Sequence, residues 1–274
     1  QTVLIARPLY HCAVLTGELL VSLYRGLDIL FLDGTYHPVR VAEILVRQKI
    51  SVLCGTPTLF SHIAAQLKRT GRKTAVQTMA ISGECLPAGT AKKIREAFPD
   101  TEIYNVYGLT EASPRVSFLP AEYFDRYPES VGKALSGVRF EIRDDMQRPL
   151  PAGKAGTVWV FSLSLMKGYY KDPQRTGKVL KDGWLYTGDI GKTDENGFLY
   201  ILSRADDMII KSGMNIYPKE IENAAIRAGE IEDIVVYGRK KDLGMDIAAD
   251  IVLKKDYARL TEKEVRARLA EILP

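Results

Sequence analysis

The sequence predicts an α/β fold: a parallel sheet layered with helices, then a small antiparallel β subdomain, then a small α+β module at the C-terminal end. Three observations carry this. Through residue 127, near-continuous apolar segments alternate with amphipathic ones, as in parallel strands buried on both faces and joined by helices. Over 128–203 the segments shorten, and Gly, Pro, Asp and Asn turns separate them, as antiparallel strands require. Over 204–274 a hairpin, a helix, two strands and a helix follow in turn.

In order, TVLIARPLY and LDILFLD read as strands on either side of a helical stretch, AVLTGELLVSLYR. A helix in VRVAEILVRQ, a strand in ISVLCG and a helix after Pro57 in TLFSHIAAQLKR come next. CGTPTLF, which joins the last two, leaves two readings open: pure core, or the wall of a ligand pocket. VQTMAIS, AGTAKKIREAF and EIYNVYG read as strand, helix and strand. The second region contributes the strands GVRFEIRD, GTVWVFS, GWLYTGD and GFLYILSR, with DENG as a turn. In the third, DMIIKSGMNI reads as a hairpin and YPKEIENAAIR as a helix with Pro218 in its first turn. The strands DIVVYG and IAADIVLKK follow. A capping box from Thr261 to Glu264 opens the last helix, with Val265, Leu269, Ile272 and Leu273 on one face.

A chain of 274 residues has room for one large or two ordinary domains. Its 46% apolar and 26% charged residues describe a soluble globular protein. Lys plus Arg exceeds Asp plus Glu by 38 − 34 = 4, too little and too scattered to suggest nucleic acid as a partner. No apolar run approaches membrane-spanning length, and QTVLIARPLYHC lacks the pattern of a secretory leader. Cys12, Cys54 and Cys85 are odd in number, far apart and in apolar surroundings, which predicts reduced thiols and a cytoplasmic location. His11, His37 and His62 share no metal-ligand spacing, so no structural metal site is expected.

In open parallel sheets, ligands bind beyond the carboxyl ends of the strands. Gly83, Glu84, Cys85 and the stretch YGLTEAS (107–113) therefore fall on the expected functional rim. Tyr107 offers a flat ring to a base, and Gly108 lets backbone approach a ligand. Thr110 offers a hydroxyl to a phosphate oxygen, and Glu111 a hard oxygen ligand to Mg²⁺. Taken alone, the stretch reads equally as a polar loop after a buried strand. In DGWLYTGDIG (182–191), Asp189 either accepts two hydrogen bonds from a ribose diol or belongs to a hairpin turn after Gly188. SRADDMIIKSGMNIYPKEIE (203–222) gathers Arg204, Asp206 and Asp207 at the boundary between two textures, where a charged cluster is ordinarily a solvated linker. Ser212 and Gly213 form a small tip able to approach a ligand closely.

The order and spacing of these stretches, together with PLYHCAVL (8–15), ISGECLP (81–87), SVGKALSG (130–137) and LYTGDIG (185–191), resemble the acyl-adenylate-forming superfamily. The likeness covers nearly the whole chain and is greatest to acyl-CoA synthetases. It implies an adenylate-binding domain over 1–203, divided into 1–127 and 128–203, and a lid domain over 204–274 with a hinge at Asp206. It also implies ATP or AMP, Mg²⁺ and CoA as ligands, with a small carboxylic acid as substrate. Around the base it sets Gly83, Glu84, Cys85 and Asn105, with Tyr107 stacked on adenine. Thr110 would hold the α-phosphate and Glu111 the Mg²⁺, and Asp189 would bind the ribose hydroxyls supported by Arg204. His11 would stand between the carboxylate pocket and the thiol entrance, unless it is a buried histidine satisfied by backbone. Ser212 and Gly213 would line the tunnel for CoA.

Two family elements have no counterpart in the sequence: a phosphate loop rich in Gly, Ser and Thr, and a lysine on a Gly-Lys turn. The expectation is a fragment of a longer AMP-forming acid–CoA ligase, by itself inactive in adenylation. Two rival expectations are an enzyme that loads an acid onto a carrier protein, through a basic face around Arg227, Arg239, Lys240 and Lys241, and a non-catalytic adenylate-binding module.

Overall fold

The computed structural model describes residues 1–32, 37–211, 214–227, 229–241 and 244–272. The chain divides into two compact units: residues 1–187 with 192–201, and residues 188–191 with 202–274.

In the first unit, β1 (Thr2–Ile5) leads into helical turns: α1 (Cys12–Val14), a π-helical stretch Leu15–Leu20, and α2 (Val21–Arg25). Then follow β2 (Asp28–Phe31), α3 (Pro38–Arg47), β3 (Val52–Gly55), α4 (Pro57–Thr70), β4 (Thr78–Ser82), α5 (Ala88–Ala97) and β5 (Glu102–Tyr107). These match the predicted alternation. The helix starts explain themselves: His37 and Thr56 accept hydrogen bonds from the first-turn amides of α3 and α4, each with proline at the first helical position.

The sheet runs β2-β1-β3-β4-β5, all parallel, and continues through β6 (Ser117–Leu119) and β7 (Lys133–Ala134), each paired antiparallel to the strand before it. The alternation of a strand's side chains is visible on β1. Leu4 joins a core with α3, α4 and α5, through Val41, Leu45, Phe60, Ile63 and Ile94. Val3 and Ile5 point the other way and pack with Val14 under the helical turns. The outer side of those turns leaves Leu20, Leu23 and Tyr24 exposed. In CGTPTLF, Cys54, Leu59 and Phe60 are buried, as the core reading expects, while Thr56 borders a cavity.

The second sheet contains β8 (Val138–Arg143), β9 (Gly156–Ser162), β10 (Leu180–Lys181) and β11 (Trp184–Thr193), in the order β10-β11-β9-β8, with β12 (Leu199–Arg204) paired to β11. A short helix, α6 (Pro173–Val179), precedes β10 and was not foreseen. The expected turn at Gly188 is not one: β11 runs unbroken through Gly188 and Asp189.

The second unit has its own core of Ile209, Ala225, Ile231, Ile234 and Val236. The antiparallel pair β13 (Ile209–Lys211) and β14 (Met214–Ile216) precedes α7 (Pro218–Arg227). The long antiparallel pair β15 (Ile231–Lys241) and β16 (Gly244–Leu253) leads to α8 (Glu262–Ile272). Thr261 and Glu264 form the predicted capping box, each side chain bonded to the other's backbone N–H at 2.8 and 3.4 Å. The predicted apolar face of α8 is only partly used. Leu269 packs on the core, Ile272 is exposed, and Leu273 lies outside the described residues.

Gly132 tests how tightly the first unit is tied. Its φ is +79°, and a Cβ there would overlap the Phe118 carbonyl. At Gly137 φ is +78° and nothing lies within 4 Å. Gly132→Ala is expected to cost more than about 2 kcal/mol and Gly137→Ala about 1 kcal/mol, read as shifts of the urea midpoint. Equal shifts would show that only the backbone angle matters.

Candidate functional site

The parallel strand order 2-1-3-4-5 reverses direction between β1 and β3, and such a switch opens a crevice beyond the carboxyl ends of the strands. A cavity of about 600 Å³ lies there. The segment after β1 supplies Arg7, Pro8, Tyr10, His11, Cys12 and Ala13, and Thr56 follows β3. Ser82 and Gly83 stand at the end of β4, and Gly108, Leu109, Thr110, Pro114 and Arg115 follow β5. The cavity thus brings together three of the predicted residues: His11, Gly83 and Thr110.

His11 is exposed, not buried. It caps the first helical turn, with Nδ1 accepting from the Ala13 amide at 3.2 Å, an arrangement that fixes its ring at the cavity mouth. Cys12 Sγ and Thr110 Oγ1 share a hydrogen bond of 3.2 Å, which links the helix start to the YGLTEAS loop. That loop connects β5 to the antiparallel β6 and is closed by the Val116 amide on the Tyr107 carbonyl at 2.9 Å. Gly108 is needed for the closure: a Cβ would overlap the Pro114 carbonyl oxygen. The backbone that approaches Gly108 is therefore the loop's own.

Glu111 sits in the single turn Thr110–Ala112. Its carboxylate accepts from the Tyr169 hydroxyl at 2.8 Å. The Tyr169 phenol is raised by burial and by that carboxylate, so it stays a donor. Tyr169 is a positioning partner that the sequence reading missed, because 58 residues separate the two. Glu84 accepts from the amide and hydroxyl of Thr58 at 3.3 and 2.6 Å, at the start of α4. Cys85 Sγ lies 3.7 Å from the Ile201 carbonyl. Asn105 is 1% exposed and donates to the Ser130 carbonyl at 2.8 Å, so its amide serves the fold beneath the rim. Tyr107 is half-buried at the end of β5, against the core that includes Val116 and Val131.

The second unit holds Asp189 and Arg204. Asp189 is buried and accepts from Arg204 Nη1 at 2.7 Å, while the Arg204 side chain is 56% exposed. Burial makes the carboxylate's position definite, and the exposed guanidinium keeps its charge matched. Asp206 is exposed in the single turn Ala205–Asp207. Ser212 and Gly213 lie outside the described residues.

The sequence reading also missed a charged cluster on the cavity wall. Arg7 and Glu18 form an ion pair at 2.5 Å with side chains 11% and 0% exposed. Arg115 packs over Gly17, where a Cβ would come within 2.5 Å of Nη2. Burial raises the Glu18 carboxyl, opposed by Arg7, and lowers Arg115. The signal was present as two opposite charges, Arg7 and Glu18, inside otherwise apolar segments. Among the described residues, no group of three or more His, Cys, Asp and Glu side chains is arranged to hold a metal ion, and no helix is long and apolar enough to cross a membrane.

Cys54, on β3 beside this cluster, is pushed up to about 12 from 9.0, first by burial and then by Glu18. A raised value means that the neutral thiol stabilises the fold below pH 9 and that this contribution is lost as pH rises toward 12. Iodoacetamide at pH 8 is expected to label Cys12 in the native chain and Cys54 only after unfolding, read by peptide mapping. Native labelling of Cys54 at the rate of Cys12 would contradict its burial.

Comparison with known proteins agrees with this architecture. The model of the AMP-binding enzyme family matches residues 1–170. The feruloyl-CoA synthase of Amycolatopsis sp. is 28% identical over 98% of this chain and 54% of its own length. The long-chain-fatty-acid–CoA ligase of Yersinia pestis is 32% identical over 96% of this chain and 46% of its own. The O-succinylbenzoate coenzyme A synthetase of Bacillus subtilis, solved in complex with AMP, superposes with a TM-score of 0.83 at 26% identity, covering 100% of this chain and 55% of that one. The chain thus spans about half the length of the relatives it matches. With the strand-end cavity, the motifs on its rim and this likeness in agreement, the chain belongs to the AMP-binding enzyme family.

Proposed function

We propose that this chain is the adenylate-holding and hinge-bearing part of an AMP-forming acid–CoA ligase. The observation that carries the reading is the cavity beyond β1, β3, β4 and β5, where His11, Gly83 and Thr110 meet. The family's relatives named as CoA synthases and ligases support it.

The first half-reaction joins an acid to ATP, releases pyrophosphate and leaves an acyl-AMP. A carboxylate is a poor electrophile, and the mixed anhydride gives it a good leaving group. Little covalent work falls to the protein; its task is to position two anions and to offset charge on the α-phosphate. In this reading Thr110 donates its hydroxyl to that phosphate, Tyr107 supports the base, and Gly83, Glu84, Cys85 and Asn105 shape the surrounding backbone. Asp189 accepts from the ribose hydroxyls while Arg204 balances its charge. In the second half-reaction the CoA thiol attacks the acyl carbonyl and AMP departs. His11 stands by that carbonyl, Asp206 is the hinge between the two steps, and Ser212 and Gly213 border the pantetheine path.

Mg²⁺ fits Glu111. A single oriented carboxylate, held by Tyr169, suits an ion that takes one or two protein oxygens and completes its shell with phosphate and water. Such an ion would neutralise phosphate charge, and Glu111 is the residue that would hold it.

Acid-dependent ATP–pyrophosphate exchange by the intact protein, followed by thioester formation with CoA, tests the reading. AMP release without any acid dependence would overturn it. Asp189→Ala is expected to weaken nucleotide binding by about 1.5–3 kcal/mol per lost charge-assisted hydrogen bond, seen as a raised KM for ATP. An unchanged KM counts against the ribose assignment. Asp206→Pro is expected to spare pyrophosphate exchange and to slow thioester formation at least about tenfold; equal losses in both steps would remove the hinge role.

A further inference from the structure

The cluster of Arg7, Glu18 and Arg115 is not explained by adenylate chemistry. Arg7 and Arg115 line the cavity, yet among the described residues only one carboxylate, Glu18, is paired with either of them. Two guanidinium groups against one carboxylate leave one positive charge in the wall. Arg7 is committed to Glu18, and even so Arg7 Nε and Glu18 Oε2 are buried without a hydrogen-bond partner. Among the described residues Arg115 makes one hydrogen bond, 3.5 Å to the carbonyl of the adjacent Pro114, which is long and weak. A guanidinium is a planar fork of donors, built for two-point contact with a carboxylate. Arg115 is half-buried and feels the Glu18 charge without a hydrogen bond to it, and a guanidinium so placed is costly to leave without a two-point partner.

The backbone is arranged to admit this side chain. Arg115 lies over Gly17, in the π-helical stretch Leu15–Leu20, where the glycine leaves the space that Nη2 fills. Single π-helical stretches recur at functional sites. The rest of the lining mixes apolar Pro8, Ala13, Leu109 and Pro114 with neutral polar groups such as Thr56, Ser82 and Thr110, and none of it is a carboxylate. A guanidinium in a wall without carboxylates orients one anionic group and selects against ligands without it.

We infer, resting on the ligase reading above, that the acid taken by this site carries a second anionic group, and that Arg115 receives it. The substrate class is a small dicarboxylic acid. One carboxylate meets ATP near Thr110 and His11, and the other is held by Arg115, with the Arg7–Glu18 pair behind it. Arg115 is thus a specificity-determining residue for the acid.

The test compares α,ω-dicarboxylic acids of four to eight carbons with their monomethyl esters as substrates for pyrophosphate exchange by the intact protein. One charge-assisted contact predicts a preference for the diacid of about 10- to 100-fold in kcat/KM. Arg115→Met should bring that ratio to about 1, and Arg115→Lys should restore part of it, with circular dichroism showing that both variants fold. A purely structural Arg115 would lower both rates together and leave the ratio unmoved, which overturns the inference, as does an ester that equals or beats its diacid. If no acid supports exchange, the ligase reading fails on its own. Calorimetric titration of the 274-residue chain with the same diacids then decides: diacid binding lost in Arg115→Met sustains the anion site, and equal binding of diacid and ester, or none, removes it.

Discussion

A knot of buried polar side chains holds the first unit in register. Asn105, Ser117 and Ser130 are almost wholly buried, and each must find a partner inside the protein. Asn105 donates to the Ser130 carbonyl, Ser117 to the Val131 carbonyl and Ser130 to the Leu199 carbonyl, all within 2.8–2.9 Å. The Gly132 amide donates back to the Ser130 hydroxyl at 2.9 Å. One short segment is thereby joined to β5, β6 and β12. A partner lost here leaves a desolvated polar atom, so the register of three strands is set together.

The functional rim inherits that order. Because β6 pairs with β5 up to Tyr107 and Ser117, the loop between them is a closed hairpin connection. Thr110 and Glu111 occupy one helical turn within it, joined outward to Cys12 and Tyr169. In the proposed reading, the groups that would meet a phosphate and a metal ion are in this way placed before any ligand arrives, which is what positioning catalysis needs. The cavity wall combines this polar loop with a charged cluster whose cost the fold bears through the Arg7–Glu18 pair.

Much of this was legible. Apolar alternation located the strands and helices of the parallel sheet, because a strand buried on both faces leaves a continuous apolar run that few other elements produce. The capping box of α8 was legible for a local reason: its donor and acceptor are three residues apart. The motif stretches pointed to a nucleotide site through their order along the chain. The structure gathered His11, Gly83 and Thr110 in one cavity, tied Glu84 to the start of α4 and buried Asn105. Gly188 looked like a turn because glycine and aspartate together usually mark one, yet pairing with neighbouring strands carried β11 through it. The strands β6 and β7 escaped notice, since two or three residues cannot display a period.

By itself, then, the sequence determined the main succession of strands and helices, the two kinds of sheet and the candidate residues for chemistry, since each depends on spacings of a few residues. Only the tertiary structure decided the strand order 2-1-3-4-5, and with it the crevice between β1 and β3. It alone brought Cys12 to Thr110, Tyr169 to Glu111, and Arg115 to Gly17. Those pairs are separated by tens of residues, and no local pattern encodes them. They exist because burying the apolar faces of the sheet brings distant loops to the same strand ends.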